Sequence, residues 1–183
     1  MPITTPAGTT ARTVTFWYPA AAKGFTDWSI PLSVMFDDDL RPHPRLLAHP
    51  PRTAHEQTLL AAPKPGTPLK CAGGRLDLLD LPGTGEHAAH EARTRYDLWS
   101  RSSRIRGRRP NPLESALLQA GERTYVTYHR LRRVVGDVLI DMRSTDWVMP
   151  AAATPEALID YVHHAAYRLS DAAPDDVLVA VTV

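Results

Sequence analysis

Apolar and polar positions recur along this chain with two periods, one suited to strands and one to helices. TVTFWY (13–18) is rich in β-branched and aromatic residues. In SIPLSVMF (29–36), Ile30, Leu32, Val34 and Phe36 alternate with Ser29, Pro31, Ser33 and Met35. Both stretches predict strands, the second at a sheet edge because Pro31 has no N–H to donate. Residues 41–70 carry seven of the seventeen prolines around a short apolar patch, Leu59 to Ala62. They predict an irregular connection with a short strand inside it. RLDLLDL (75–81) predicts a strand ending at Pro82-Gly83. Thr84 then suits the cap of a helix from 85 to about 104, with Ala89, Ala92, Tyr96 and Trp99 on one face and a stop near Gly107.

In NPLESALLQAG, Asn111, Pro112 and Glu114 occupy the cap, first and third positions of a second helix, and Gly121 follows as its stop. TYVTYHRLRRVVGDVLIDMR predicts a hairpin turning at Gly136-Asp137, with Arg132 opposite Asp141. A helix over 122–135 is the alternative, since Tyr125, Tyr128, Arg132 and Val135 also fit that period. Thr154-Pro155-Glu156 opens a last helix with Leu158, Val162, Ala165 and Leu169 inward. VLVAVTV (177–183) predicts a strand covered on both faces. The sum is one α+β domain over residues 1–183, with a mixed or antiparallel sheet under two to three helices and a buried C-terminal strand.

Composition narrows the class. Hydrophobic residues are 43% and charged residues 22%, close to ordinary globular proteins. No run of about eighteen apolar residues and no secretory start is found, so the expectation is a cytoplasmic protein without a membrane partner. Cys71 is the single cysteine, which excludes an intrachain disulfide framework and a thiolate cluster. Arginine outnumbers lysine eighteen to three, as a GC-rich coding bias would produce, so placement informs more than number. From Arg93 to Arg133 the net charge is +8, and from Val134 to Val183 it is −6. This dipolar layout bears on partners rather than on fold.

Several groups carry possible chemistry. Asp37, Asp38 and Asp39 offer oxygens to a hard cation, although consecutive strand residues point to opposite sides. His43, His49 and His55 recur every six residues, a looser spacing than structural zinc sites use. His87, His90 and Glu91 share a helical first turn and can form a metal or acid/base pair. Nucleophile-elbow, P-loop and dinucleotide-binding motifs are absent, and no cofactor is required. RSSRIRGRRP (101–110) places Arg101, Arg104, Arg106, Arg108 and Arg109 in a turn between two helices. Arg130 and Arg132 can extend that patch, and Tyr125 and Tyr128 can stack bases. The functional expectation is a binding or accessory protein engaging an anionic partner, nucleic acid before an acidic protein surface. The alternatives are an enzyme for a phosphorylated or carboxylated small molecule and a protein-interaction subunit that pairs with itself or another chain.

Overall fold

A computed structural model of the chain describes residues 12–19, 41–50, 59–60, 69–105 and 107–183. The expected strand 29–36, the aspartates 37–39, His55 and Arg106 lie outside the described residues.

TVTFWY folds as β1 (Thr13–Tyr18), and its neighbours define the sheet. On one side β6 (Val138–Asp141) runs parallel to it, Val14 beside Val138. On the other side β8 (Val177–Thr182) runs antiparallel, Val14 beside Val181. Beyond β6, β7 (Asp146–Val148) pairs antiparallel. Along the far edge of β8, β2 (Arg41–Pro42) and β5 (Gly73–Arg75) lie end to end, Pro42 beside Val181 and Gly73 beside Val179. Gly73 is needed at that edge, because a Cβ there would stand 2.0 Å from the Leu178 carbonyl oxygen. A separate ladder joins β3 (Leu46–Leu47) to β4 (Lys70–Cys71). Cys71 is buried and free, and burial pushes its thiol up to about 11.

Among the described residues four helices accompany this mixed sheet: α1 (Leu81–Ser102), α2 (Pro112–Gln119), α3 (Glu122–Val135) and α4 (Pro155–Ser170). Strand alternation sends Trp17, Leu139, Leu178 and Ala180 to the helical side, where they meet Ala89, Tyr125, Leu158 and Val162. Val14, Phe16, Tyr18, Ile140 and Val179 form a second buried cluster on the opposite face. Leu158, Val162, Ala165 and Leu169 of α4 are all buried, as the helical period predicts. The Asn111 cap of α2 also holds, its Oδ1 accepting the Glu114 N–H at 2.8 Å. No helix of the described residues is long and apolar enough to cross a membrane.

Two elements ahead of α2 differ from the sequence expectation. The strand expected over 75–81 ends at Arg75 and continues as a 3₁₀ turn, Leu76–Leu78. The N–H groups of Leu76 and Asp77 bond Asp176 O and Pro174 O rather than a long ladder. Asp80, not Thr84, caps α1, accepting the Gly83 N–H at 2.8 Å. Thr84 sits inside the first turn and accepts the Leu47 N–H at 2.8 Å, which ties α1 to β3. The helix then ends at the left-handed Ser103, before Gly107.

The expected hairpin at Gly136-Asp137 is instead a helix-to-strand junction, and the helical alternative for 122–135 is the observed one. β6 takes β1 as its partner in parallel, so the two strands need a long crossover, which contains α1 to α3. Asp137 is recruited across the chain: it accepts the Arg12 and Thr13 N–H groups, each at 3.0 Å, and pairs with Arg132 at 2.6 Å. Arg132 therefore faces Asp137 and not Asp141. Gly136 has φ +77, and a Cβ there would stand 2.8 Å from the Arg45 guanidinium, so glycine lets that cation approach the junction.

Candidate functional site

At the N-terminal ends of β1 and β6, α1 and α3 open a cleft of about 600 Å³. On α1, Ala88, Glu91, Arg95 and Leu98 line it at spacings of three and four, so one helical face serves as a wall. On α3, His129, Arg132 and Arg133 do the same from the opposite wall. Thr13 comes from β1, and His43 and Arg45 from the segment between β2 and β3. That segment is held by the His43 N–H donating to Ala180 O at 2.9 Å and by the β3 contacts to α1. Small residues at 88, 89 and 92 are buried in α1 where α3 packs along it.

Arg45 is the unusual member. Only 6% of it is exposed, and it has no carboxylate partner among the described residues. Its guanidinium donates to Thr15 Oγ1 and, at 3.3 Å, to Val134 O, while its Nε has no partner among the described residues. Burial, with Arg132 adding to it, lowers its pKa to about 10, still well above neutral, so the cation persists. Burying a charge without a counter-ion is costly, and groups perturbed in this way cluster at functional sites.

Two histidines border the same space as neutral groups. His129 packs edge-on against Tyr125 at 4.4 Å, and its Nε2 is buried without a hydrogen-bond partner. Burial, followed by the fields of Arg95, Arg132 and Arg133, lowers its pKa to about 3. His43 is lowered for the same reasons, with burial first and Arg45 next, and its Nδ1 is also unpartnered. Buried polar atoms are nearly always hydrogen-bonded, so three orphans in one cleft (His43 Nδ1, Arg45 Nε and His129 Nε2) mark it as a place where a ligand or ordered water is accommodated.

The charges do not balance. Arg45, Arg95, Arg132 and Arg133 line the cleft against Glu91 and Glu114, and with Asp137 behind Arg132 the excess is one positive charge among these side chains. Arg133 holds Glu91 at 2.6 Å and Arg132 holds Asp137 at 2.6 Å. Glu114 accepts from the Tyr125 hydroxyl at 3.1 Å. Arg95 donates its Nε to the Glu91 carbonyl at 3.3 Å, and neither it nor Arg45 forms an ion pair among the described residues.

The sequence-predicted residues divide around this cleft. His90 and Glu91 line it, whereas His87 lies outside and pairs with Glu91 at 3.2 Å. Arg101, in the last turn of α1, and Arg104, Arg108 and Arg109, in the turn that follows, are exposed, and Ile105 of that turn lines the cleft. None of the four forms an ion pair among the described residues, so the acidic C-terminal part does not neutralise them there. Its Asp141 and Asp146 pair instead with Arg143 and Arg168. Arg130 does not extend this patch toward the cleft; it pairs with Glu86 at 2.9 Å and borders a separate apolar groove with Leu131 and Leu169. Tyr125 and Tyr128 cannot stack bases, because the α3 helix turns both into the core, 0% and 8% exposed. His43 reaches the cleft while His49 is exposed elsewhere, and no group of three metal-ligating side chains occurs among the described residues.

Sequence reasoning missed Arg45, Arg95, His129 and Arg133 as site residues. One signal was present: Arg45 and Arg133 each interrupt an apolar stretch, in PRLLA and in LRRVV. Comparison of this chain with protein-family models, with curated proteins and with solved structures finds no match.

Proposed function

We propose that this protein binds a small phosphorylated or carboxylated molecule in the cleft between α1 and α3. The observation that carries the reading is Arg45, a buried cation with no carboxylate partner and an unpartnered Nε among the described residues, on a cleft where arginines outnumber the acids beside them. A planar guanidinium can give two parallel hydrogen bonds to a phosphate or carboxylate, and a low-dielectric wall strengthens them. A volume of about 600 Å³ falls in the range of small-molecule sites. The neutral His43 and His129, with His90 and Glu91 at hand, are the groups through which a bound molecule would be turned over. A cytoplasmic setting, where phosphorylated metabolites are abundant, belongs to this reading. The test is thermal shift and calorimetry with inorganic phosphate, pyrophosphate, a nucleoside monophosphate and citrate. At least one should raise the melting temperature of the wild type in a salt-sensitive way and fail to raise that of Arg45→Met. No shift with any of them, or equal shifts in both proteins, would overturn the reading.

A second reading, nucleic-acid binding, is favoured by the four exposed arginines without acidic partners at 101, 104, 108 and 109. Binding through them should weaken with salt at about −0.7 logarithmic units per phosphate on a single strand. Changing Arg106, Arg108 and Arg109 together to alanine should flatten that slope while leaving the fold intact. Absence of any affinity at low salt sinks it.

A further inference from the structure

We infer that the cleft and the arginine turn form one continuous site for a single strand of phosphates, with a terminal phosphate monoester at Arg45 and the following phosphodiesters on Arg104, Arg108 and Arg109. The inference rests on the small-anion reading of the cleft and deepens it by naming the ligand class.

Continuity is the first support. Ile105 lines the cleft and stands next to Arg104 in the chain. Its N–H donates to Arg108 O at 2.9 Å, and the Arg108 N–H donates to Ile105 O at 3.0 Å. This small closed bridge sets Arg104 and Arg108 at the cleft's margin rather than on a loose arm. Charge is the second support. A terminal monoester carries up to two negative charges and suits the buried, uncompensated Arg45. Internal diesters carry one each and suit exposed arginines that share their charge with water. The third support is the burial of Tyr125 and Tyr128, which removes the expected stacking platform. With neither tyrosine offering a stacking face, the arginines favour contacts to phosphates over base readout. A cleft of about 600 Å³ lies in the range of small-molecule sites, room for the end of one strand.

The test is fluorescence anisotropy with the full chain at low salt. The probes are single-stranded DNAs of about eight nucleotides, a length within the usual site size, ending in a 5′-phosphate or a 5′-hydroxyl. The phosphorylated strand should bind at least about tenfold more tightly, the gain expected from one additional buried charge-assisted contact. Arg45→Met should erase that preference yet keep salt-dependent binding of both strands. The Arg108→Ala, Arg109→Ala double variant should weaken both strands alike and keep the preference. Arg95→Gln, on the α1 wall, reports the same loss of preference if Arg45→Met fails to fold. Inorganic polyphosphate competing as well as the DNA would uphold the site and identify its source as the inorganic chain; competition by DNA alone would identify nucleic acid. Equal affinity for the two strand ends, or a double variant that binds as well as the wild type, would overturn the inference. A nucleoside monophosphate that still binds through Arg45 in that case leaves the small-molecule reading standing, whereas loss of both results removes both.

Discussion

The two ends of the parallel pair β1 and β6 treat buried charge in opposite ways. At the C-terminal end, Asp141 is 2% exposed and fully matched: it accepts the Arg143 N–H at 2.9 Å, Arg143 Nε at 3.2 Å and Arg168 at 3.1 Å. Arg143 then lies over the Trp17 ring at 3.6 Å, and the Trp17 indole donates to Asp176 at 2.8 Å. Burial alone would raise the Asp141 carboxyl, and the bonds from Arg143 and Arg168 outweigh it and hold the group below its usual range. At the N-terminal end, Arg45 is equally buried yet matched only by a hydroxyl and a carbonyl. A closed network secures the sheet. An open one leaves hydrogen-bonding capacity for a molecule from outside, and the contrast identifies the cleft more sharply than the amount of charge at either end.

The largest effect should come from opening the closed network. Asp141→Ala removes the shared acceptor of two arginines and a backbone N–H, and should cost about 2 to 4 kcal/mol in urea unfolding. A loss below about 0.5 kcal/mol would show that Arg143 and Arg168 gain nothing from the carboxylate. Arg45→Met should move stability the other way. Thr15 Oγ1 already donates to Val134 O at 2.9 Å, so removing the guanidinium strands neither group, and a buried charge becomes apolar volume of similar length. A gain of about 1 to 3 kcal/mol is expected with loss of anion binding, and destabilisation instead would mean that Arg45 is structural.

The next effect depends on pH. His129 has a folded pKa of about 3 against 6.5 in the unfolded chain, so the unfolded state binds the extra proton between those values and stability falls as pH drops through that window. Wild type should lose roughly 1 to 2 kcal/mol more than His129→Gln between about pH 7 and pH 5, measured by urea unfolding at each pH. Equal losses would place His129 in water rather than in the cleft wall. The smallest effect should be that of Arg108→Ala with Arg109→Ala, within about 0.5 kcal/mol of wild type, because both side chains are exposed and unpaired. A clear drop in melting temperature would mean that the turn is tied to the fold rather than held ready for a ligand.

The residues legible in the sequence were those whose neighbours along the chain decide their state. TVTFWY and VLVAVT became β1 and β8, and the inward stripe of α4 was read correctly, because a period of two or of 3.6 residues is a local property. Residues 122–135 satisfied both periods, and Gly136-Asp137 carried a turn signal. The choice fell to Asp137, whose carboxylate is engaged by Arg12 and Thr13, about 125 positions away in sequence. Asp80 displaced Thr84 as a cap for a related reason: Thr84 was needed by Leu47 of another element. His87, His90 and Glu91 were legible as one cluster because helical spacing joins His87 to each of the other two, and the fold sets His90 and Glu91 on the cleft and His87 outside it. Arg45 and His129 were not, since each is ordinary until burial removes its water, and Arg133 joins them only because α3 packs along α1 beside Glu91.

The sequence by itself therefore determined the α+β class, the terminal strands and the concentration of positive charge between Arg93 and Arg133. Only the tertiary structure decided which of those charges are cancelled, which remain in surplus, and that Arg45, from outside that segment, joins them. The physical reason is that periodicity and charge count are sums over neighbouring residues. Desolvation and pairing depend instead on which distant groups share a volume, and that is set when β1 takes β6 and β8 as its partners.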